Sequence, residues 1–201
     1  MRQKILSLQE LRTLYETELK AAFPPTELKP LHAMEALLAE GCYKPLGYYD
    51  EADGALLGYA LLWTDGVDGT ILLDYLGVTP AKRNGGLGGQ ILAALRDDLA
   101  GRVLLLEAEA AENGASDTIQ SRRLRFYQRC GCVLLPYDCA LFGVHFRCLA
   151  LNWNGTDATG VLAAHQALYR RHIPEAIYDQ CIRLPLAPGE KPPASIPWNA
   201  L

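Results

Sequence analysis

Residues 78–92, VTPAKRNGGLGGQIL, constrain the fold more than any other part of this 201-residue chain. A run of strand character, 70–78, enters the stretch. A run of helical period leaves it, with Leu87, Ile91, Leu92, Leu95 and Leu99 on one face. Between them, four glycines fill five consecutive positions, 85–89. Such a junction delivers a strand into a helix through a turn that side chains do not crowd. The helix N-terminus offers unpaired amides and the positive end of a dipole, which suit a phosphate or pyrophosphate. Arg83 adds a cation at the entrance. No Gly-Lys-Ser/Thr follows, so this is not a Walker loop. Counting G-x-G-x-x-G from Gly86 puts Ile91 at the last glycine, and the preceding strand does not open the fold, so a dinucleotide fingerprint fits poorly.

The rest of the chain supplies the setting. Residues 3–7 read as a short strand. Ser7 and Glu10 form a capping box for a helix carrying Leu8, Leu11, Leu14, Tyr15, Leu19 and Ala22. A second helix starts near Pro30 and stops at Gly41. Strands at 43–51, 56–64 and 70–78, separated by turns at 52–54 and 65–69, predict an antiparallel meander. After the glycine turn come a buried strand, 102–109, a helix, 118–130, stopped by Gly131, and strands at 132–135 and 145–151. A linker at 152–159 leads to a helix, 157–172, capped by Asp157. A proline-rich tail after Leu184 reads as extended. The order β-α-α-β-β-β-α-β-α-β-β predicts an α/β fold: a mixed, mostly antiparallel sheet with helices on both faces, over residues 1–151. Residues 152–201 form a helical C-terminal appendage.

Composition narrows the function. Half the residues are hydrophobic and the formal net charge is −4. That argues against non-specific nucleic-acid binding, which needs a basic surface. No apolar run is long enough to span a membrane, and acidic residues come too early for a signal peptide, so a cytoplasmic location is expected. The six cysteines show no C-x-x-C pair and read as reduced, buried thiols; no metal constellation emerges.

Arg83-x-x-Gly86-x-Gly88 matches the Q/R-x-x-G-x-G/A motif of the GNAT acetyltransferase superfamily. Residues 122–132, RRLRFYQRCGC, resemble that superfamily's later helix, which ends F-Y-x-x-x-G-[FC]. The resemblance covers about residues 3–151 and implies acetyl-CoA as donor. It implies that amides of Arg83, Asn84, Gly85, Gly86, Leu87, Gly88 and Gly89 hold the pyrophosphate, and that Leu76, Gly77 and Val78 pair with the pantetheine arm. Gly77 would permit a bulge that frees those amides. It also places Tyr127 near the coenzyme sulfur, as the acid that protonates the departing thiolate.

The amine must lose a proton, and three carboxylates compete for that task. Asp74 occupies a position where many members carry Glu or Asp. Glu109 and Glu107 alternate onto one face of the following strand. An edge position or a salt bridge to Arg122 or Arg125 would also explain that pair. The match is incomplete: Gln120 and Arg123 stand where many members have Asn and a small residue, and Asn113 lies too far from Tyr127 to substitute. One residue of the cluster Arg122, Arg123, Arg125 and Arg129 would meet the 3′-phosphate, the others forming a solvated face. His145 could lie near the acceptor, whereas His165 and His172 read as packing or surface residues. Tyr43, Tyr48, Tyr49, Trp63 and Tyr75 line either a pocket or the core. The expected activity is acetyl transfer to a primary amine, the acceptor being a small molecule more than a protein, with a homodimer as the candidate assembly. A catalytically silent acyl-CoA sensor is the alternative, and a nucleotide-binding enzyme a weaker one.

Overall fold

The computed structural model describes residues 1–25, 27–64, 69–111 and 117–193. Most of the turn read at 65–69, Asn113 and the end of the proline-rich tail lie outside them. The fold is mixed α/β, and among the described residues eight strands pair mostly antiparallel. The described residues form two compact units: 1–64 with 73–98, and 69–72 with 99–193.

In the first unit, strands β1 (Arg2–Ile5), β2 (Tyr43–Tyr49), β3 (Leu56–Trp63) and the part of β4 (Ile71–Val78) from Leu73 onward are neighbours in chain order. The meander read from the sequence is present. Its register sets Gln3 against Tyr48, Leu46 against Ala60 and Tyr43 against Trp63. Helix α1 (Leu8–Leu14) begins at the predicted capping box: the Ser7 hydroxyl accepts from the Glu10 amide, and the Glu10 carboxylate accepts from the Ser7 amide at 2.9 Å. The helical stripe then loosens into a π-helical turn, Tyr15–Leu19, before α2 (Lys20–Ala22). The wider turn still buries Tyr15 and Leu19. Helix α3 (Leu31–Ala39) ends before Gly41, whose φ of +75° carries the chain out of the helix. Helix α4 (Leu87–Asp98) buries Ile91, Leu92 and Leu95, joining Leu11, Met34, Leu46, Leu61 and Trp63 in the unit's core. Removing one of these side chains to alanine costs about 2–5 kcal/mol.

The second unit orders its strands β5 (Leu104–Glu109), β7 (Val144–Leu151), β6 (Val133–Leu141) and β8 (Ile182–Leu186), antiparallel throughout. Two departures from the sequence reading appear here. The strand read at 132–135 runs on to Leu141, with a register shift between Leu134 and Asp138 that absorbs Pro136. The C-terminal appendage also holds elements not read from the sequence: α7 (Glu175–Cys181) and β8 follow α6 (Ala158–His172), and β8, which pairs with β6, reaches two residues into the tail read as extended. Asp157 caps α6 as read, its carboxylate accepting from the Gly160 amide at 2.9 Å. Helix α5 (Ile119–Arg129) ends before Gly131 at φ +91°. Among the described residues, which include all six cysteines, there is no disulfide, and no helix is long and apolar enough to cross a membrane.

Candidate active site

The glycine turn combines left-handed backbone with amides unpaired among the described residues. After β4 the chain makes a short 3-10 turn, Pro80–Lys82, and then reverses through Asn84 at φ +64° and Gly86 at φ +75°. Asparagine tolerates the left-handed region, and glycine enters it without strain. A Cβ on Gly86 would meet nothing within 4 Å, so that residue serves conformation and not packing. The Gly89 and Gln90 amides close onto the Gly86 carbonyl at 3.0 and 3.2 Å. Among the described residues, the amides of Asn84, Gly85, Gly86, Leu87 and Gly88 donate to no protein acceptor. They form a run of donors at the N-terminus of α4, which is a donor set suited to a pyrophosphate. Arg83 is exposed beside them and donates from Nε to the Val78 carbonyl at 3.3 Å.

Strand β4 leads into this turn with one side partly open. Asp74, Leu76 and Val78 are half-buried, while Leu73 and Tyr75 are buried. Gly77 answers a close approach: a Cβ there would lie 2.1 Å from Cζ of Tyr59. Opposite, a Cβ on Gly58 would lie 2.6 Å from the Gly77 carbonyl oxygen. The pair of glycines lets the ring of Tyr59 and two backbones share that space.

Asp74 does not stand free. Its Oδ2 accepts from Tyr43 Oη at 2.6 Å and from Lys29 Nζ at 2.8 Å. Lys29 is 3 % exposed, and its ammonium lies 4.1 Å from the centre of the Trp63 ring and 5.9 Å from that of Tyr43. The Lys29 amide donates to Tyr75 Oη at 2.7 Å, and that hydroxyl donates to the Glu27 carbonyl at 2.9 Å. Burial, with the Asp74 charge added, pushes the Tyr43 and Tyr75 phenols well above their ordinary range. Of the aromatic residues read as pocket or core, Tyr43, Trp63 and Tyr75 are buried and engaged here, whereas Tyr48 is buried with a hydroxyl that has no partner among the described residues and Tyr49 is half-buried. Lys29 was not foreseen; only its place between Leu28 and Pro30 marks it in the sequence, and that pattern names no chemistry.

The second unit holds Tyr127 and the paired glutamates. Tyr127 lies buried on α5, and burial raises its phenol to about 12, against the opposing charge of Arg123 one turn earlier. Arg122, Arg125 and Arg129 of the basic cluster are exposed, and Arg123 is half-buried. On β5 the two glutamates part company. The Glu107 carboxylate is saturated: His165 Nε2 approaches Oε1 at 3.0 Å, Cys139 Sγ donates to the same oxygen at 3.5 Å, and Tyr169 Oη donates to Oε2 at 2.8 Å. Neither an edge position nor Arg122 or Arg125 accounts for it. The carboxylate of Glu109, a half-buried residue, makes no hydrogen bond or ion pair among the described residues. His145, read as a neighbour of the acceptor, pairs through Nε2 with Asp138 at 2.9 Å, beside Arg147 on the same carboxylate at 2.8 Å.

The model of the acetyltransferase (GNAT) family matches residues 8–132. The chain belongs to the GNAT acetyltransferase family. YjbC of Bacillus subtilis (strain 168), assigned as an acetyltransferase, is 37% identical over 112 residues. The alignment spans 56% of this chain and 53% of that protein, so the chain covers about half the length of the curated relative it matches. Among solved structures, a GNAT-family protein from Bacteroides thetaiotaomicron superposes with a TM-score of 0.68 at 22% identity, over 86% of this chain and 98% of that one. The ribosomal-protein-S18-alanine N-acetyltransferase of Escherichia coli gives 0.56 at 17% identity, over 78% and 97%. The spermidine N-acetyltransferase of Vibrio cholerae, solved with CoA and spermine, gives 0.55 at 10%, over 74% and 93%. At these identities the structural likeness speaks for the GNAT fold. The family model, matching more than half of the chain, carries the membership.

Proposed function

We propose that this GNAT protein transfers an acetyl group from acetyl-CoA to a primary amine by direct attack, with both substrates bound together. The observation that carries the reading is the run of five amides, Asn84 to Gly88, beside Arg83 in the family's pyrophosphate motif. When bound, the coenzyme supplies an acetyl group activated as a thioester. The amides of the turn and the Arg83 side chain hold its pyrophosphate; the Arg83 and Gly89 amides, expected among the donors, are instead engaged with the Pro80 and Gly86 carbonyls. Leu76, Gly77 and Val78 pair with its pantetheine arm and polarise the thioester carbonyl through a backbone amide. Tyr127 delivers a proton to the departing sulfur. Its phenol, at about 12, is protonated throughout the neutral range.

Asp74 is the favoured base. It already faces an ammonium at 2.8 Å, and it lies two residues before Leu76 on the half-buried side of β4. Glu109 is the second candidate, since its carboxylate has no protein partner among the described residues, whereas that of Glu107 is saturated. The aromatic and carboxylate surroundings of Lys29 favour a small cationic amine as acceptor over a protein. Residues 1–151 would carry this chemistry and 152–201 would be an appendage to it. The protein is read as cytoplasmic.

Calorimetry with acetyl-CoA, using ATP and NAD as controls, tests the donor. Thiol release against a panel of amines, in the same samples, tests the transfer. Coenzyme binding with amine-dependent release is the expected result. Binding without release on any amine would point to an acyl-CoA sensor, and preference for ATP or NAD would overturn the coenzyme assignment.

A further inference from the structure

Lys29 is a buried cation to which the proposed reaction gives no task. A lysine this deeply enclosed needs a partner, and Asp74 provides one. A buried ion pair is weak evidence of stabilisation, since desolvation of both charges offsets their attraction. The surroundings of this pair are also more specific than neutralisation requires. The ammonium lies over the Trp63 ring at 4.1 Å from its centre, 5.9 Å from the centre of the Tyr43 ring and 2.8 Å from the Asp74 carboxylate. Aromatic faces combined with a carboxylate are the constellation that recognises an alkylammonium group. In this protein the alkylammonium is one of its own side chains.

Position adds a second argument. Asp74 and Leu76 alternate onto the same side of β4, where a strand rises about 3.3 Å per residue. The ammonium is thus held one same-side step from the segment that, in the reading above, pairs with the pantetheine arm. The backbone of Lys29 is anchored through the Tyr75 hydroxyl, while its four-carbon side chain retains rotatable bonds. A nucleophile, a carboxylate base in hydrogen-bond contact with it and a fixed anchor are already assembled.

We propose that Lys29 is itself an acetyl acceptor, modified in cis from the coenzyme; the inference rests on the acetyl-CoA reading above. Asp74 takes one proton from Nζ. The lone pair of the neutral amine forms a bond to the acetyl carbonyl carbon, and the carbon–sulfur bond breaks with its electron pair leaving on sulfur. The nitrogen then gives up its second proton, which sulfur takes up to give a free thiol; Asp74 releases the first proton to solvent, and Nζ becomes an uncharged amide. Loss of the positive charge dissolves the ion pair with Asp74 and leaves the carboxylate and the aromatic faces to an external ammonium.

The test is peptide mapping by mass spectrometry of the full chain incubated with acetyl-CoA, as a time course at two protein concentrations. Coenzyme calorimetry and amine-dependent thiol release are measured on the same preparation. One acetyl group is expected on Lys29. It should appear faster than on the exposed Lys20 and Lys191 by about tenfold or more, at a rate independent of protein concentration. Asp74→Asn should slow it, with circular dichroism confirming that the variant is folded. The wild-type time course decides the matter even if that variant does not fold. Coenzyme binding and amine turnover with Lys29 unmodified would overturn the inference and leave the proposed function standing. The inference would equally be overturned by modification no faster than at exposed lysines, or by a rate that rises with protein concentration. Absence of coenzyme binding would overturn both.

Discussion

His165 Nε2 lies 3.0 Å from Glu107 Oε1, and the histidine is wholly withdrawn from solvent. Tyr137 approaches its Nδ1 at 3.3 Å, Tyr169 shares the same glutamate, and Cys139 and Cys148 complete the surroundings from β6 and β7. This cluster fastens α6 to β5, β6 and β7. Burial opposes the imidazolium, but hydrogen bonds with Cys148 and Glu107 outweigh it and raise His165 from 6.5 to about 9. The protonated ring is therefore favoured more in the folded chain than in the unfolded one. Its contribution, on the order of 3 kcal/mol, is fully present below the unfolded value and is lost as pH climbs through the folded one. Urea denaturation between pH 6 and 10 is expected to show stability falling across that window, and His165→Gln is expected to flatten the slope. A wild-type slope equal to the variant's would contradict this account.

Glu107 is the centre of the same cluster. Glu107→Ala is expected to cost about 3–5 kcal/mol, because it leaves an imidazolium and a phenol buried without their acceptor. Glu109→Gln, on the same strand face, is expected to change stability by about 0.5 kcal/mol or less. Paired thermal melts of the two variants check the contrast. Equal losses would mean that the two carboxylates do not differ as their contacts imply.

Gly86→Ala isolates the conformation of the turn, since the added methyl meets nothing. A positive φ of +75° for alanine costs about 1–2 kcal/mol. The chain can relieve that cost by rotating the turn, which redirects the unpaired amides. Coenzyme affinity is expected to fall by about tenfold or more, a larger proportional effect than on stability. Calorimetry on Gly86→Ala beside Arg83→Ala checks it; unchanged affinity in both would remove the turn from the binding site.

Tyr127→Phe keeps the ring and deletes the proton. Turnover is expected to fall by about 100-fold or more, with coenzyme affinity close to that of the parent. Steady-state kinetics with thiol detection, together with calorimetry, separates the two quantities. Unchanged turnover would assign Tyr127 to the core alone.

Gly77→Ala forces a methyl group onto the Tyr59 ring at 2.1 Å and is expected to cost about 1–3 kcal/mol. In the Tyr59→Leu background the cost should shrink, because the clashing ring atoms are gone. A double-mutant cycle by chemical denaturation gives the coupling between the two positions. Additive losses would mean that the strand moves instead of the ring.

What could be read from the sequence follows the range of the interactions. The capping box at Ser7, the stops at Gly41 and Gly131, the cap at Asp157 and the meander are set by neighbours in the chain, and all five are present. The π-helical turn at Tyr15–Leu19 was not legible, because its apolar spacing differs little from that of an ordinary helix. Strand β8 was missed because five residues with a proline resemble a tail until β6 is beside them. The candidate site divides in the same way. The glycine motif is local and could be read, whereas the Lys29–Asp74 and Glu107–His165 contacts span 45 and 58 positions and depend on the folded chain.

Strand β8 has one more consequence. The nine residues of β6 would otherwise offer a row of amides and carbonyls along that side, which is a template for pairing with another chain. The paired strand covers them and presents a shorter border in their place, interrupted at Pro185, which has no amide proton to donate. A cut just before Ile182 would remove five residues of strand and bare a longer, stickier one, so the last strand also governs how readily copies of this protein adhere to one another.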